Sequence, residues 1–169
     1  MRNMIIDLSW LLDHPREIQK FHWQLEGENS DLDGELARFQ DQVEVDLTLT
    51  NEGKYIVGSG TITTVLGFAC GSCLEWYSWP LRVEFPLQLC DEAQNQGLED
   101  EDFIWYHDNQ ADVSSVVLEN IILHLPLRRV CQDPCKGLCP QCGVNRNHED
   151  CDCQEDETDP RWDALKKLL

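Results

Sequence analysis

Nine cysteines occur in this 169-residue chain, and six of them fall between Cys131 and Cys153, in CQDPCKGLCPQCGVNRNHEDCDC. Thiolates that share one tetrahedral ion arrive as close pairs. Eight of the nine do so: Cys70-x2-Cys73, Cys131-x3-Cys135, Cys139-x2-Cys142 and Cys151-x-Cys153. Eight thiols suit two four-cysteine sites, and zinc suits such sites. Two structural zinc ions are therefore expected. CPQCG at 139–143 has the form of a zinc knuckle. Its two-residue spacing lets both thiolates reach one metal, its turn N–H groups can point at sulfur, and Gly143 tolerates a positive φ.

The pairing of the pairs is a separate question. Three residues between Cys135 and Cys139 are tight for closing one site, whereas an eight-residue loop separates Cys142 from Cys151. The preferred reading joins Cys139 and Cys142 with Cys151 and Cys153, and leaves Cys131 and Cys135 to meet Cys70 and Cys73. His148 and His124 stay open as substitute ligands. Cys90 ends an alternating apolar run and reads as a small core residue. The alternative to structural zinc is a zinc- or redox-handling dithiol protein centred on CGSC at 70–73. A redox dithiol wants a helix N-terminus to lower its pKa, and here the motif stands between two apparent strands.

Sites closed by four thiolates leave no position for water or substrate. The sequence also lacks a glycine-rich phosphate loop, a nucleophile elbow and an HExxH motif. Its carboxylates lie in runs, the pattern of solvated surface. No catalytic residue, no small-molecule substrate and no enzymatic activity are expected, with an RNA-processing nuclease the enzymatic alternative.

The elements that must position the thiols read as follows. Val43, Val45, Leu47 and Leu49 alternate with polar residues, the period of a half-buried strand. NEG at 51–53 is turn chemistry, and the β-branched run after it completes a hairpin over 43–70. Leu81, Val83, Phe85, Leu87 and Leu89 alternate again, with Pro86 pointing to an edge or a bulge. FIWYH at 103–107 reads as a short strand in an acidic loop. Asp112 can cap a helix with Val113, Val116, Val117, Ile121 and Ile122 inward, ended by Pro126. Residues 1–42 resist assignment; IIDLSWLL fits a strand or a helical turn. The expected fold is α+β: a small antiparallel β-sheet, a packed helix and a C-terminal cysteine-rich zinc-binding appendage. Its expected parts are a core over 1–130, the cysteine-rich segment over 131–158 and a C-terminal helix over 159–169.

The formal net charge of −19 disfavours nonspecific binding to phosphate backbones and suits a basic protein partner. No apolar run approaches the roughly 18 residues of a membrane span, and Asp7, Asp13 and Glu17 argue against a transit peptide. A soluble, cytoplasmic protein is expected, where clustered thiols more often hold metal than form disulfides.

The second half of the chain resembles the DUF177, or YceD-like, family. The resemblance rests on Glu119, Leu123, Leu125 and Pro126, the CKGLCPQCG run at 135–143, Asn145, Cys151, Cys153, Asp159, Arg161, Leu165 and Leu168, with CGSC after a strand. Arg146 stands where the family often has an apolar residue. The resemblance implies a non-enzymatic ribosome biogenesis factor needed for accumulation of large-subunit ribosomal RNA. The implied partners are a basic ribosomal protein or large-subunit pre-rRNA. Arg128, Arg129, Lys136 and Arg146 cluster around the cysteines against Asp133 alone in 128–146. They are the candidates for RNA contact, or for balancing thiolate charge.

Overall fold

The computed structural model describes residues 4–29, 32, 37–94 and 103–153. The expected helix over 159–169 and the acidic runs 99–102 and 155–157 lie outside the described residues. The elements in chain order are β1 (Ile5–Asp7), α1 (Ser9–Asp13), β2 (Ile18–Leu25), β3 (Ala37–Phe39), β4 (Val43–Asn51), β5 (Ile56–Ala69), β6 (Trp76–Asp91), β7 (Ile104–Tyr106), β8 (Gln110–Asp112) and α2 (Ser114–Leu123).

The alternating runs form the centre of the sheet. β4 and β5 make the hairpin expected over 43–70, in register Glu44–Thr63 to Asn51–Ile56. At its turn the Gly53 N–H donates to Asn51 Oδ1 at 2.8 Å, with Gly53 at φ +97°. β5 then pairs along its whole length with β6, from Ile56–Leu89 to Ala69–Trp76. β2 lies outside β4, and β3 pairs with the end of β5 that β4 does not cover. Along 76–88, β6 has β5 as its partner on one side, so Pro86 sits at an edge where its missing N–H costs no ladder bond.

The sheet is mixed rather than antiparallel: β7 runs parallel to β6, Leu89 opposite Ile104. A parallel neighbour needs a crossover of about a dozen residues, and residues 92–103 supply that length where the sequence suggested only an acidic loop. β1 and β8 form a separate two-stranded antiparallel sheet. Among the described residues α1 occurs in addition to the expected α2. IIDLSWLL yields both of its readings, as β1 followed by α1.

One apolar cluster unites the elements. It takes Val43, Val45, Leu47 and Leu49 from β4, Leu81 to Leu89 at alternate positions of β6, and Ile6, Leu8 and Leu11 from the N-terminal elements. α2 adds Val117 and Ile121, and Val113 at its N-cap completes a narrow stripe at four-residue spacing. Ile122, expected to face inward, is 47% exposed, because it lies about 100° round the helix from Ile121. Val113 holds the N-cap position of α2, and Asp112 Oδ1, just before it, accepts the Ser114 N–H at 2.8 Å. Buried Asn51 donates from Nδ2 to the Leu11 carbonyl at 3.1 Å, fastening α1 to the hairpin.

Gly60 stands directly opposite Phe85, and a Cβ there would collide with the Phe85 ring. The ring lies over the glycine as a lid over the core. Gly60→Ala is expected to cost about 1–3 kcal/mol, the usual range for overpacking. Urea denaturation checks it, and an unchanged midpoint would show that the ring moves aside freely.

Candidate metal centres

The first four thiols converge at the β5–β6 connection. The Cys70 N–H donates to the Glu75 carbonyl at 2.9 Å, and the Leu74 N–H donates to the Cys70 carbonyl at 2.9 Å. This tight turn, with Leu74 at φ +62°, presents both thiols of CGSC at the end of the longest hairpin. The chain after α2 returns to it. The Gly71 N–H donates to the Arg129 carbonyl at 2.8 Å, and the Leu138 N–H to the Ser72 carbonyl at 3.1 Å. Gly137 passes so close, at φ +71°, that a Cβ would stand 3.1 Å from the Ser72 carbonyl oxygen. Cys131 and Cys135 are thereby brought to Cys70 and Cys73, and the four Sγ atoms lie within 4.8 Å of one another.

The distances fit a tetrahedral ion. Zinc–sulfur bonds of about 2.3 Å require sulfur–sulfur edges of about 3.8 Å. Cys70–Cys135 is 3.8 Å, Cys73–Cys131 3.6 Å and Cys131–Cys135 3.8 Å. These edges are far longer than the roughly 2.05 Å of a disulfide, and all nine cysteines are free thiols.

The second tetrad joins Cys139, Cys142, Cys151 and Cys153, whose Sγ atoms also lie within 4.8 Å of one another. The Gly143 N–H donates to the Cys139 carbonyl at 2.9 Å and the Cys139 N–H to the Val144 carbonyl at 2.8 Å. With Gly143 at φ +76° this is a knuckle turn. Both tetrads can hold a metal ion.

Charge is distributed unevenly among the thiols. Backbone N–H groups of Cys142 and Gln141 aimed at Cys139 bring it down to about 6. Burial pushes Cys70 up, but the N–H groups of Cys73, Ser72 and Cys131 outweigh it and bring Cys70 down to about 6. Burial raises Cys73, and burial with the neighbouring thiols pushes Cys131 up to about 12. Hydrogen bonding to Cys139 raises Cys151, and hydrogen bonding to Cys142, then burial, pushes Cys153 up to about 12. Each tetrad thus has one thiol brought down to about 6 and two whose ionisation is opposed by burial and by neighbouring thiols, the state a divalent cation would convert to thiolates.

The remaining candidates are placed as follows. Cys90 is buried in β6 opposite Trp105, outside both tetrads. His124 Nδ1 hydrogen-bonds the Asn120 carbonyl at 2.8 Å, and His148 Nε2 lies 2.9 and 3.0 Å from the two carboxylate oxygens of Glu75; neither histidine joins a tetrad. Arg128 and Lys136 are exposed. The Arg129 guanidinium lies over the Phe68 ring at 5.4 Å, and Arg146 donates from a guanidinium nitrogen to Cys139 Sγ at 4.0 Å. Sequence reasoning passed over Asn147, whose Nδ2 donates to Cys135 Sγ at 3.3 Å. The signal available for it was an asparagine pair, Asn145 and Asn147, inside the loop between two cysteine pairs.

Among relatives, an uncharacterized protein of Mycobacterium bovis is 27% identical over 133 residues, which cover 75% of this chain and 62% of the relative. Uncharacterized protein YlbN of Bacillus subtilis is 33% identical over 110 residues, covering 64% of this chain and 63% of YlbN. The Arabidopsis thaliana protein named "Large ribosomal RNA subunit accumulation protein YCED homolog 1, chloroplastic" is 24% identical over 154 residues, covering 75% of this chain and 48% of the relative. The chain thus spans less than two thirds of the length of these relatives. No solved structure matches. The family described as "Large ribosomal RNA subunit accumulation protein YceD" matches residues 58–169, a stretch that holds all eight paired cysteines, and the chain belongs to that family.

Proposed function

We propose that the protein is a non-catalytic ribosome biogenesis factor, needed for accumulation of large-subunit (23S) ribosomal RNA and held in shape by two structural zinc ions. The observation that carries this reading is the family match over 58–169, supported by the printed role of the Arabidopsis relative. The tetrads support the non-catalytic part, since four thiolates around one ion leave no open coordination position. CGSC lies on a β-turn and not at a helix N-terminus, which weighs against the redox alternative. No helix among the described residues is long and apolar enough to cross a membrane.

Contact with the ribosome runs through a basic ribosomal protein, through pre-rRNA, or through both. Of the four candidate cations, Arg146 is directed at a thiol and Arg129 at an aromatic ring. Arg128 and Lys136 remain for phosphate. Direct RNA binding would therefore weaken with salt along a log–log slope no steeper than about −2. A net charge of −19 favours a basic protein partner, whose encounter rate falls when acidic runs such as 99–102 or 155–157 are neutralised.

Deletion of the gene is expected to lower mature large-subunit rRNA relative to small-subunit rRNA, and an unchanged ratio across growth temperatures overturns the assignment. An Arg128→Ala/Lys136→Ala variant that restores the ratio fully would exclude the RNA route and leave the protein route.

Mass-spectrometric metal analysis of the reduced protein is expected to give close to two zinc ions, falling to one in Cys139→Ser. Cys90→Ala is expected to keep both, with a packing loss of about 1–2 kcal/mol. A lost zinc equivalent in that variant would place Cys90 in a site.

Metal loading also has a proton signature. At pH 7, Cys73 and Cys131 in the first tetrad and Cys151 and Cys153 in the second are held protonated, because each is raised. Zinc must expel at least these two protons per tetrad, so affinity falls at least about a hundredfold per pH unit lost near neutrality. The dependence steepens below pH 6, as Cys70 and Cys139, each at about 6, protonate too. Proton release on zinc addition in weak buffer measures the number directly, and a release below two per zinc contradicts it.

A further inference from the structure

We propose that the Asn145–Asn147 turn couples the two tetrads, so that metal held by one raises the affinity of the other. The inference rests on the zinc reading above and concerns the side chains between the sites.

The turn belongs to the second tetrad by sequence, since it lies in the loop between Cys142 and Cys151. By contact it serves both. Arg146 donates to Cys139 Sγ at 4.0 Å in the second tetrad, and its neighbour Asn147 donates to Cys135 Sγ at 3.3 Å in the first. Asn147 Oδ1 accepts the Lys136 N–H at 2.9 Å and the Gln132 side-chain amide at 3.0 Å. It thereby grips the Cys131–Cys135 segment from both ends. Asn145 Oδ1 accepts from the Asn147 backbone N–H at 3.0 Å and from Asn147 Nδ2 at 2.8 Å. The Arg146 N–H donates to the Gly137 carbonyl at 2.9 Å, within the three-residue link between Cys135 and Cys139.

A four-thiolate zinc site carries about −2, and hydrogen-bond donors to its sulfurs orient the ligands and offset that charge. Such outer partners commonly change metal affinity by about 10- to 100-fold. Here a donor to the first site rides on a loop that the second site closes. Without metal in the second tetrad, Cys142 and Cys151 are not joined through an ion, and the loop that delivers Asn147 loses its closure. Asn147 is a positioning residue for the first tetrad, and by thermodynamic reciprocity the coupling acts equally in the other direction.

The test compares zinc constants from chelator competition on the full chain. Cys139→Ser/Cys142→Ser isolates the first tetrad and Cys70→Ser/Cys73→Ser the second. The wild-type two-zinc constant is expected to exceed the product of the two isolated constants about tenfold. Asn147→Asp keeps the acceptor oxygen for Lys136 and Gln132 but removes the N–H donated to sulfur. It is expected to lower the wild-type two-zinc constant about 10- to 100-fold and bring the coupling factor to about one. With Co(II) as probe, the variant is expected to shift the thiolate charge-transfer band of the first tetrad and spare that of the second. If a double serine variant does not fold, the Asn147→Asp constant and cobalt spectrum decide alone. Two zinc ions bound with a coupling factor of one, or an Asn147→Asp protein identical to wild type in constant and spectrum, overturns the coupling and leaves the zinc reading intact. A wild-type chain that binds no zinc overturns both.

Discussion

The meeting of the β5–β6 turn with a chain segment some 60 residues further on is the contact on which the rest depends. Cys70 and Cys73 lie at one end of a hairpin of 14- and 16-residue strands. Cys131 and Cys135 come back to them after β7, β8 and α2 have been packed on the other elements. Loop-closure entropy opposes such a contact, and the core makes it affordable by fixing both approaches. β6 is buried at alternate positions up to Leu89, and α2 is anchored by Val113, Val117 and Ile121. Two backbone hydrogen bonds, Gly71 to Arg129 and Leu138 to Ser72, then set the register of the meeting.

Beyond Leu125 no described residue joins the apolar cluster. Residues 128–153 contain no helix and no strand longer than an isolated bridge. A segment of that kind has little burial with which to offset its conformational entropy. What it has instead is two knots of sulfur and a set of hydrogen bonds between turns. Metal bound by such a segment would supply folding free energy, a structural role for the thiols independent of any chemistry.

The electrostatics follow the same division. Across the chain acids exceed bases by 19, yet the groups that hydrogen-bond the sulfurs are N–H donors. Backbone N–H groups point at Cys70 and Cys139, Asn147 at Cys135, Arg146 at Cys139. Two of the cations that sequence alone offers to RNA are thus engaged inside the molecule.

The sequence by itself determined what depends on local period and local spacing. The alternation in 43–49 and 81–89 carried β4 and β6, NEG the turn from β4 into β5, and the close cysteine pairs both tetrads as groups of four. It was silent on β2, although Phe21, Trp23 and Leu25 alternate there, because that edge strand is only half-buried and its apolar signal is diluted. It carried the short strand at 103–107 but not its parallel direction, since strand direction in a sheet depends on which edge a crossover reaches and not on the strand's own residues. The inward assignment of Ile122 failed because a helix shows the core only as wide a stripe as its neighbours allow. Above all, only the tertiary structure decided which side chains stand around the sulfurs. Asn147 stands 12 residues from Cys135 and Glu75 stands 73 residues from His148, and no motif period links them. Their places follow from how the loop after Cys142 folds back on the segment before Cys139, a packing decision made through space.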